Sequence, residues 1–148
     1  MKAPHHIEVE RTADGSSTLY LKEIDEHYHS VKGAISESNH IYRDCAFLYR
    51  SNGKLLRPLE IGLGTGLNAT VTAMTADASH PVHYIALEKY PLSQDILTAL
   101  DYSSLVDANL FDAIHAAPWE QATAITPYFT IEKRKCDYLT DALPQGID

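Results

Sequence analysis

The sequence predicts an α/β protein in which a β-hairpin and a helix precede parallel strands that alternate with helices. Three observations carry this prediction. Apolar runs of strand length, "KLLRPLEIGL", "VHYIALE" and "YFTIEKRKC", occur at residues 54–63, 82–88 and 128–136. Segments with helical spacing, "TGLNATVTAMTADA" and "PLSQDILTAL", follow the first and second of them. The first strand also runs straight into glycines at 62, 64 and 66.

Residues 7–22, "IEVERTADGSSTLYLK", alternate in polarity on either side of Asp14-Gly15, which predicts a hairpin. The following "EIDEHYHSVKGAISESNH" reads as a loop entering a helix that starts near Ser36. Ile41, Cys45 and Leu48 form its apolar stripe and Asn52-Gly53 stops it. Residues 1–52 are thus an extension, and residues 53–148 a core. In the core, Pro91 opens the second helix, residues 101–127 read as mostly helical, and "DYLTDAL" as a short helix or loop. Strand, helix, strand, helix, strand is the first βαβαβ half of a doubly wound, Rossmann-like sheet. "ID" at 147–148 resembles the start of a fourth strand, so the expectation is a fragment with an incomplete sheet. An incomplete sheet exposes an edge strand, which a homodimer would cover.

Composition sets bounds on function. The 148 residues suffice for one domain with a real core, and no apolar run approaches the roughly 20 residues of a membrane span. Cys45 and Cys136 form no motif and the N-terminus has no apolar signal region, so a cytoplasmic protein is expected. A net charge of −8 gives no general attraction to nucleic acid or anionic membranes. The one candidate basic patch, "EKRK" at 132–135, reads as a solvated strand end.

The glycines at 62, 64 and 66 place bare backbone and a helix N-terminus at the end of a strand, a pattern that suits a ligand. The dinucleotide fingerprint is G-x-G-x-x-G, whereas the spacing here is G-x-G-x-G and Leu67 stands where the third glycine would be. No Gly-Lys-Ser/Thr follows, which excludes the Walker A loop. The shorter form, with Glu60 two residues ahead, looks like motif I of S-adenosylmethionine-dependent methyltransferases. Glu60 suits that cofactor's ammonium, directly or through water, and the glycine amides suit its carboxylate. Glu88 stands 22 residues after Gly66 at the end of the next strand, where an acid accepts both ribose hydroxyls. Asp137 ends the third strand and fits either a strand-end cap or a partner for the adenine amino group.

Together, "EIGLGTGLN" and "LEKYPLS" resemble the methyltransferase domain of the tRNA 5-methylaminomethyl-2-thiouridine biosynthesis family (MnmC/MnmD-like), a class I methyltransferase fold. The family's Gly-x-Gly-Thr-Gly-Leu-Asn matches residues 62–68, bringing in Thr65 and Asn68, and its Glu-Lys-x-Pro matches Glu88, Lys89 and Pro91. Upstream, "EHYHSVKGAISESNHIY" resembles the family's segment before the core. That places Tyr28, Ser30 and Glu37 on the cofactor or substrate side. The resemblance runs from about Leu19 to the C-terminus. It implies S-adenosylmethionine as cofactor, tRNA as partner, and methylation of the aminomethyl nitrogen of a wobble uridine. No flavin is expected. The family's acidic Asp-x-Phe-Ala-Pro stretch would lie on the next strand, so the catalytic residues are expected beyond Asp148.

Other signals point less far. The eight histidines, including His5, His6, His27, His29 and His40, lack the spacing of a zinc site, and no metal is expected. Trp119 and the nine tyrosines suit core packing better than base stacking, Tyr28 excepted. The rival readings are a nicotinamide-dependent oxidoreductase, disfavoured by the glycine spacing, and a non-catalytic module that binds a cofactor or self-associates.

Overall fold

The computed structural model describes residues 6–50 and 52–148; His5 of the histidine survey lies outside them. The predicted hairpin is present. Strands β1 (Ile7–Arg11) and β2 (Ser17–Leu21) pair antiparallel, Ile7 opposite Leu21 and Arg11 opposite Ser17. A two-residue strand β3 (Glu26–His27), which the sequence reads as loop, adds to β2. Asp14 does more than turn the chain. Its carboxylate accepts from Thr12 and Ser16 in the hairpin and from the Ser36 amide (2.9 Å) and hydroxyl (2.8 Å). Burial opposes ionisation there, but these hydrogen bonds prevail and hold the carboxyl well below the usual range.

The predicted helix is one rod of three stretches, α1 (Ala34–Glu37), a π-wound stretch (Ser38–Phe47) and α2 (Leu48–Arg50). It begins two residues before the expected Ser36. The wider i→i+5 winding also turns its faces. Ile41, Cys45 and Leu48 are therefore exposed rather than forming a buried stripe, while Ser38 and Phe47 face inward.

In the core, β4 (Leu59–Ile61), β5 (Val82–Glu88) and β7 (Phe129–Lys135) are parallel. The sheet order is β4-β5-β7 followed by one more strand at the far edge. Strand β6 (Ala122–Thr126) is antiparallel to β7 and corrects the mostly helical reading of 101–127. That region holds a 3-10 turn (Tyr102–Ser104), helix α5 (Ala108–Ala116) and then β6. Helix α3 (Leu67–Thr75) follows the glycines. Helix α4 (Gln94–Leu100) begins after Ser93, whose hydroxyl accepts from the Ile96 amide, so Pro91 lies ahead of the helix rather than opening it.

Two apolar clusters hold these layers together. One packs Ala69, Ala73, Tyr84, Ala86, Ile114 and Ile131 between sheet and helices. The other joins Leu19 and Ala34 of the extension to Leu67, Val71, Leu100, Tyr102 and Phe111. A fully buried Leu or Phe contributes about 1.5–3 kcal/mol, so the extension is fastened to the core by real burial. Residues 137–148 carry turns rather than a helix, and 147–148 form no strand. The chain nonetheless returns to β4: the Asp148 amide donates to the Arg57 carbonyl (3.2 Å), and the Arg57 amide donates to Asp148 Oδ2 (2.8 Å).

Candidate functional site

Strand β4 delivers the chain to the carboxyl end of the sheet, where the Gly62 and Leu63 amides both donate to the Leu87 carbonyl, at 2.9 and 3.0 Å. Glu88, the last residue of β5, is fixed by backbone on both oxygens. Oε2 accepts from the Gly64 amide (2.9 Å) and Oε1 from the Tyr90 amide (2.8 Å). It lines a cavity of about 290 Å³ together with Ile61, Gly62, Leu87, Lys89, Cys136, Asp137 and Tyr138, and its carboxylate has lone pairs beyond those two bonds. Across it, Lys89 Nζ lies 2.5 Å from Asp137 Oδ2. That ion pair raises the Lys89 pKa and lowers that of Asp137. Asp137 Oδ1 also accepts from the Leu139 amide (3.1 Å). A charged, hydroxyl-accepting rim at the carboxyl ends of parallel strands is where such sheets bind ligands.

The three glycines have three different causes. At Gly62 the φ angle is +83° and a side chain would meet open space beside this cavity. At Gly64 a Cβ would lie 3.0 Å from the Tyr28 ring, which covers the loop from the extension. At Gly66, with φ +74°, it would lie 2.6 Å from His115 Nε2. Only at the first glycine does the path of an added side chain stay open; at the other two it is taken by rings of the protein itself.

Glu60 lies elsewhere. It is half-buried on the helix side of β4, where Oε1 accepts from Asn68 Nδ2 (2.8 Å) and Oε2 from the Tyr84 hydroxyl (2.9 Å). It borders a separate cavity of about 280 Å³ with Tyr42, Phe47, Leu56 and Tyr84. Burial pushes its carboxyl up to about 7, against the two hydrogen bonds that favour ionisation. Asn68 carries the connection onward by accepting from the Ser38 hydroxyl (2.7 Å).

Thr65 is buried and held by two histidines, His29, which the sequence survey weighed only as a metal ligand, and His115, which no local signal marked. His29 Nε2 is 2.7 Å from its hydroxyl, and His115 Nε2 is 3.0 Å from its carbonyl. Burial lowers both imidazole pKa values. Glu37 lies 3.5 Å from His29 Nδ1 and accepts from the Ser30 amide (3.2 Å). Of the upstream trio, then, Tyr28 reaches the loop directly, while Ser30 and Glu37 stand behind His29.

The "EKRK" segment is not a solvated strand end. Lys133 is 1% exposed, donates to the His115 carbonyl (2.7 Å) and lies 4.9 Å from the Trp119 ring centroid. Arg134 pairs with Glu132. Trp119 packs against the core. His27 pairs with Glu10, and among the described residues no three His, Cys, Asp or Glu side chains converge as a metal site. No helix among those residues is long and apolar enough to cross a membrane.

Several curated proteins similar to the chain carry the name tRNA 5-methylaminomethyl-2-thiouridine biosynthesis bifunctional protein MnmC. That of Paraburkholderia phymatum is 30% identical over 102 residues, 64% of this chain and 15% of that protein. That of Campylobacter fetus subsp. fetus is 36% identical over 81 residues, 53% of this chain and 13% of that protein. That of Burkholderia mallei is 30% identical over 112 residues, 68% of this chain and 14% of that protein. The matched region is thus about one seventh of these relatives' length. Among solved structures, the crystal structure of MNMC2 from Aquifex aeolicus matches with a TM-score of 0.60 and 23% identity, over 90% of this chain and 43% of that one. No protein-family model matches. The MnmC sequence relatives, with the Rossmann-like α/β fold shared with MNMC2, support placing this chain among MnmC/MnmD-like proteins.

Proposed function

We propose that the chain is the cofactor-holding part of an S-adenosylmethionine-dependent methyltransferase whose acceptor is the aminomethyl nitrogen of 5-aminomethyl-2-thiouridine at the tRNA wobble position. The observation that carries this reading is the meeting of Gly62, Glu88, Lys89 and Asp137 around one cavity at the carboxyl ends of β4, β5 and β7. The space beside Gly62 fits an approaching ligand, and the free lone pairs of Glu88 fit a pair of ribose hydroxyls. Asp137 and Lys89 form the wall that would meet the adenine. Glu60, held by Asn68 at the first turn of α3, is outside the lining of this cavity, and its place toward the ammonium is through water. Thr65, Gly64 and Gly66 shape the loop, and Tyr28 covers it.

When bound, the cofactor supplies an electrophilic methyl group on a sulfonium. The chain's own residues hold and orient; none of them is assigned the removal of the proton from the acceptor amine. A tRNA partner and a cytoplasmic location fit the kind of reaction the relatives' name describes. Self-association is a second proposal, favoured by the edge position of β4, which among the described residues pairs only with β5, and by the exposed Ile61 on it. Sedimentation of a concentration series tests it, and a monomer throughout would end it.

Photo-crosslinking tests the cofactor site. Irradiation with labelled S-adenosylmethionine is expected to mark peptides containing residues 61–64, 87–90 or 136–138, with excess S-adenosylhomocysteine suppressing the label. Label confined to other peptides would overturn the assignment.

A further inference from the structure

A buried polar chain stands behind the glycine loop. His29 is 8% exposed and Thr65 1%, yet 36 residues of sequence separate them. One assignment of their protons satisfies each of these contacts. The Leu67 amide can only donate, so Thr65 Oγ1 accepts from it (3.3 Å). The Glu37 carboxylate accepts, so the His29 nitrogen facing it at 3.5 Å, Nδ1, carries the ring proton. A buried neutral imidazole has one such proton. Nε2 is therefore an acceptor, and the Thr65 hydroxyl donates to it across 2.7 Å. The direction is consistent throughout, from the Leu67 amide to Thr65, then His29, then Glu37. Ser30 steadies the far end by donating its amide to the other Glu37 oxygen.

We propose that His29 is a positioning residue for the glycine loop: as the Nδ1-protonated tautomer facing Glu37, it accepts a hydrogen bond from the Thr65 hydroxyl and turns Thr65 Oγ1 toward the Leu67 amide at the start of α3. The loop is thus shaped before a ligand arrives, which lowers the ordering cost of binding. His115 holds the same residue from the other side by donating Nε2–H to the Thr65 carbonyl (3.0 Å). The ligand consequence rests on the cofactor reading above; the tautomer and the loop geometry do not.

The test has two arms. In the first, nitrogen-detected NMR of the wild-type chain reads the tautomer, and amide hydrogen exchange reads Leu67. His29 is expected as Nδ1–H with a bare Nε2, and His29→Leu is expected to speed Leu67 exchange while His29→Gln, which keeps an acceptor near the same place, largely restores it. In the second, calorimetry with S-adenosylhomocysteine is expected to show about tenfold weaker binding for His29→Leu and for Thr65→Val, the worth of one net hydrogen bond. The double variant should be no weaker than either single one, and His29→Gln should recover most of the loss. An Nε2–H tautomer or a charged ring in wild type, or additive losses in the double variant, would overturn the proposal. If wild type binds no S-adenosylhomocysteine, the cofactor reading fails while the first arm still decides the role of His29.

Discussion

Replacing Glu60 by Gln should stabilise the protein, and more so as pH rises. Glu60 keeps its proton up to about 7 because burial on the helix side of β4 penalises the charge more than Asn68 and Tyr84 favour it. A carboxyl whose folded pKa is raised favours the folded state fully below its unfolded value and loses that advantage as pH rises through the folded one. Here the window runs from the ordinary 4.5 to about 7. Ionised Glu60 therefore costs less than about 1 kcal/mol at pH 5 and up to about 3 kcal/mol at pH 8. Glutamine fits the same partners, accepting from Asn68 and donating to the Tyr84 oxygen, and never ionises. Urea denaturation followed by Trp119 fluorescence at pH 5 and pH 8 measures the difference between Glu60→Gln and wild type. The expected gain is small at pH 5 and reaches about 3 kcal/mol at pH 8. A difference that does not change with pH would refute the reasoning.

The glycines and the buried lysine supply the remaining predictions. Gly66→Ala brings a Cβ to 2.6 Å from His115 Nε2 at φ +74°, whereas Gly62→Ala meets only the strain of φ +83°. The first should lower stability by more than the second, whose cost is about 1–2 kcal/mol, and equal midpoints in urea would contradict the assignment of causes. Burial depresses Lys133 to about 8, so its charge penalises the folded state below that pH and the penalty is relieved as pH rises toward the ordinary 10.5. Thermal stability should therefore climb between pH 8 and 10 in wild type, and Lys133→Met should remove that slope. An unchanged slope in the variant would place the titration on another group.

Some of this was legible in the sequence because it is local. The run "VHYIALE" is strand β5 to the residue, since an apolar segment bounded by Pro81 and by Glu88 has one reading. Asp14-Gly15 likewise marks the hairpin, and the glycine loop with Glu88 marks the carboxyl edge of the sheet. What was not legible depends on partners distant in sequence. Strand β6 exists because β7 pairs with it, which local periodicity does not report. The exposed Ile41, Cys45 and Leu48 follow from π winding, which shifts the face that a helical stripe assumes. His115 reaches Thr65 across 50 residues, and nothing near it in sequence marks the contact. Glycine spacing alone also hid that the Tyr28 and His115 rings stand where side chains at positions 64 and 66 would lie.

The most direct measurement is a calorimetric titration of the chain with S-adenosylhomocysteine, with NADH as control and Glu88→Ala alongside. Saturable binding of S-adenosylhomocysteine, weakened by the substitution and absent for NADH, is the result expected if Gly62, Glu88, Lys89 and Asp137 hold an adenosyl amino acid. Binding of NADH in its place, or S-adenosylhomocysteine binding that Glu88→Ala leaves unchanged, would contradict it.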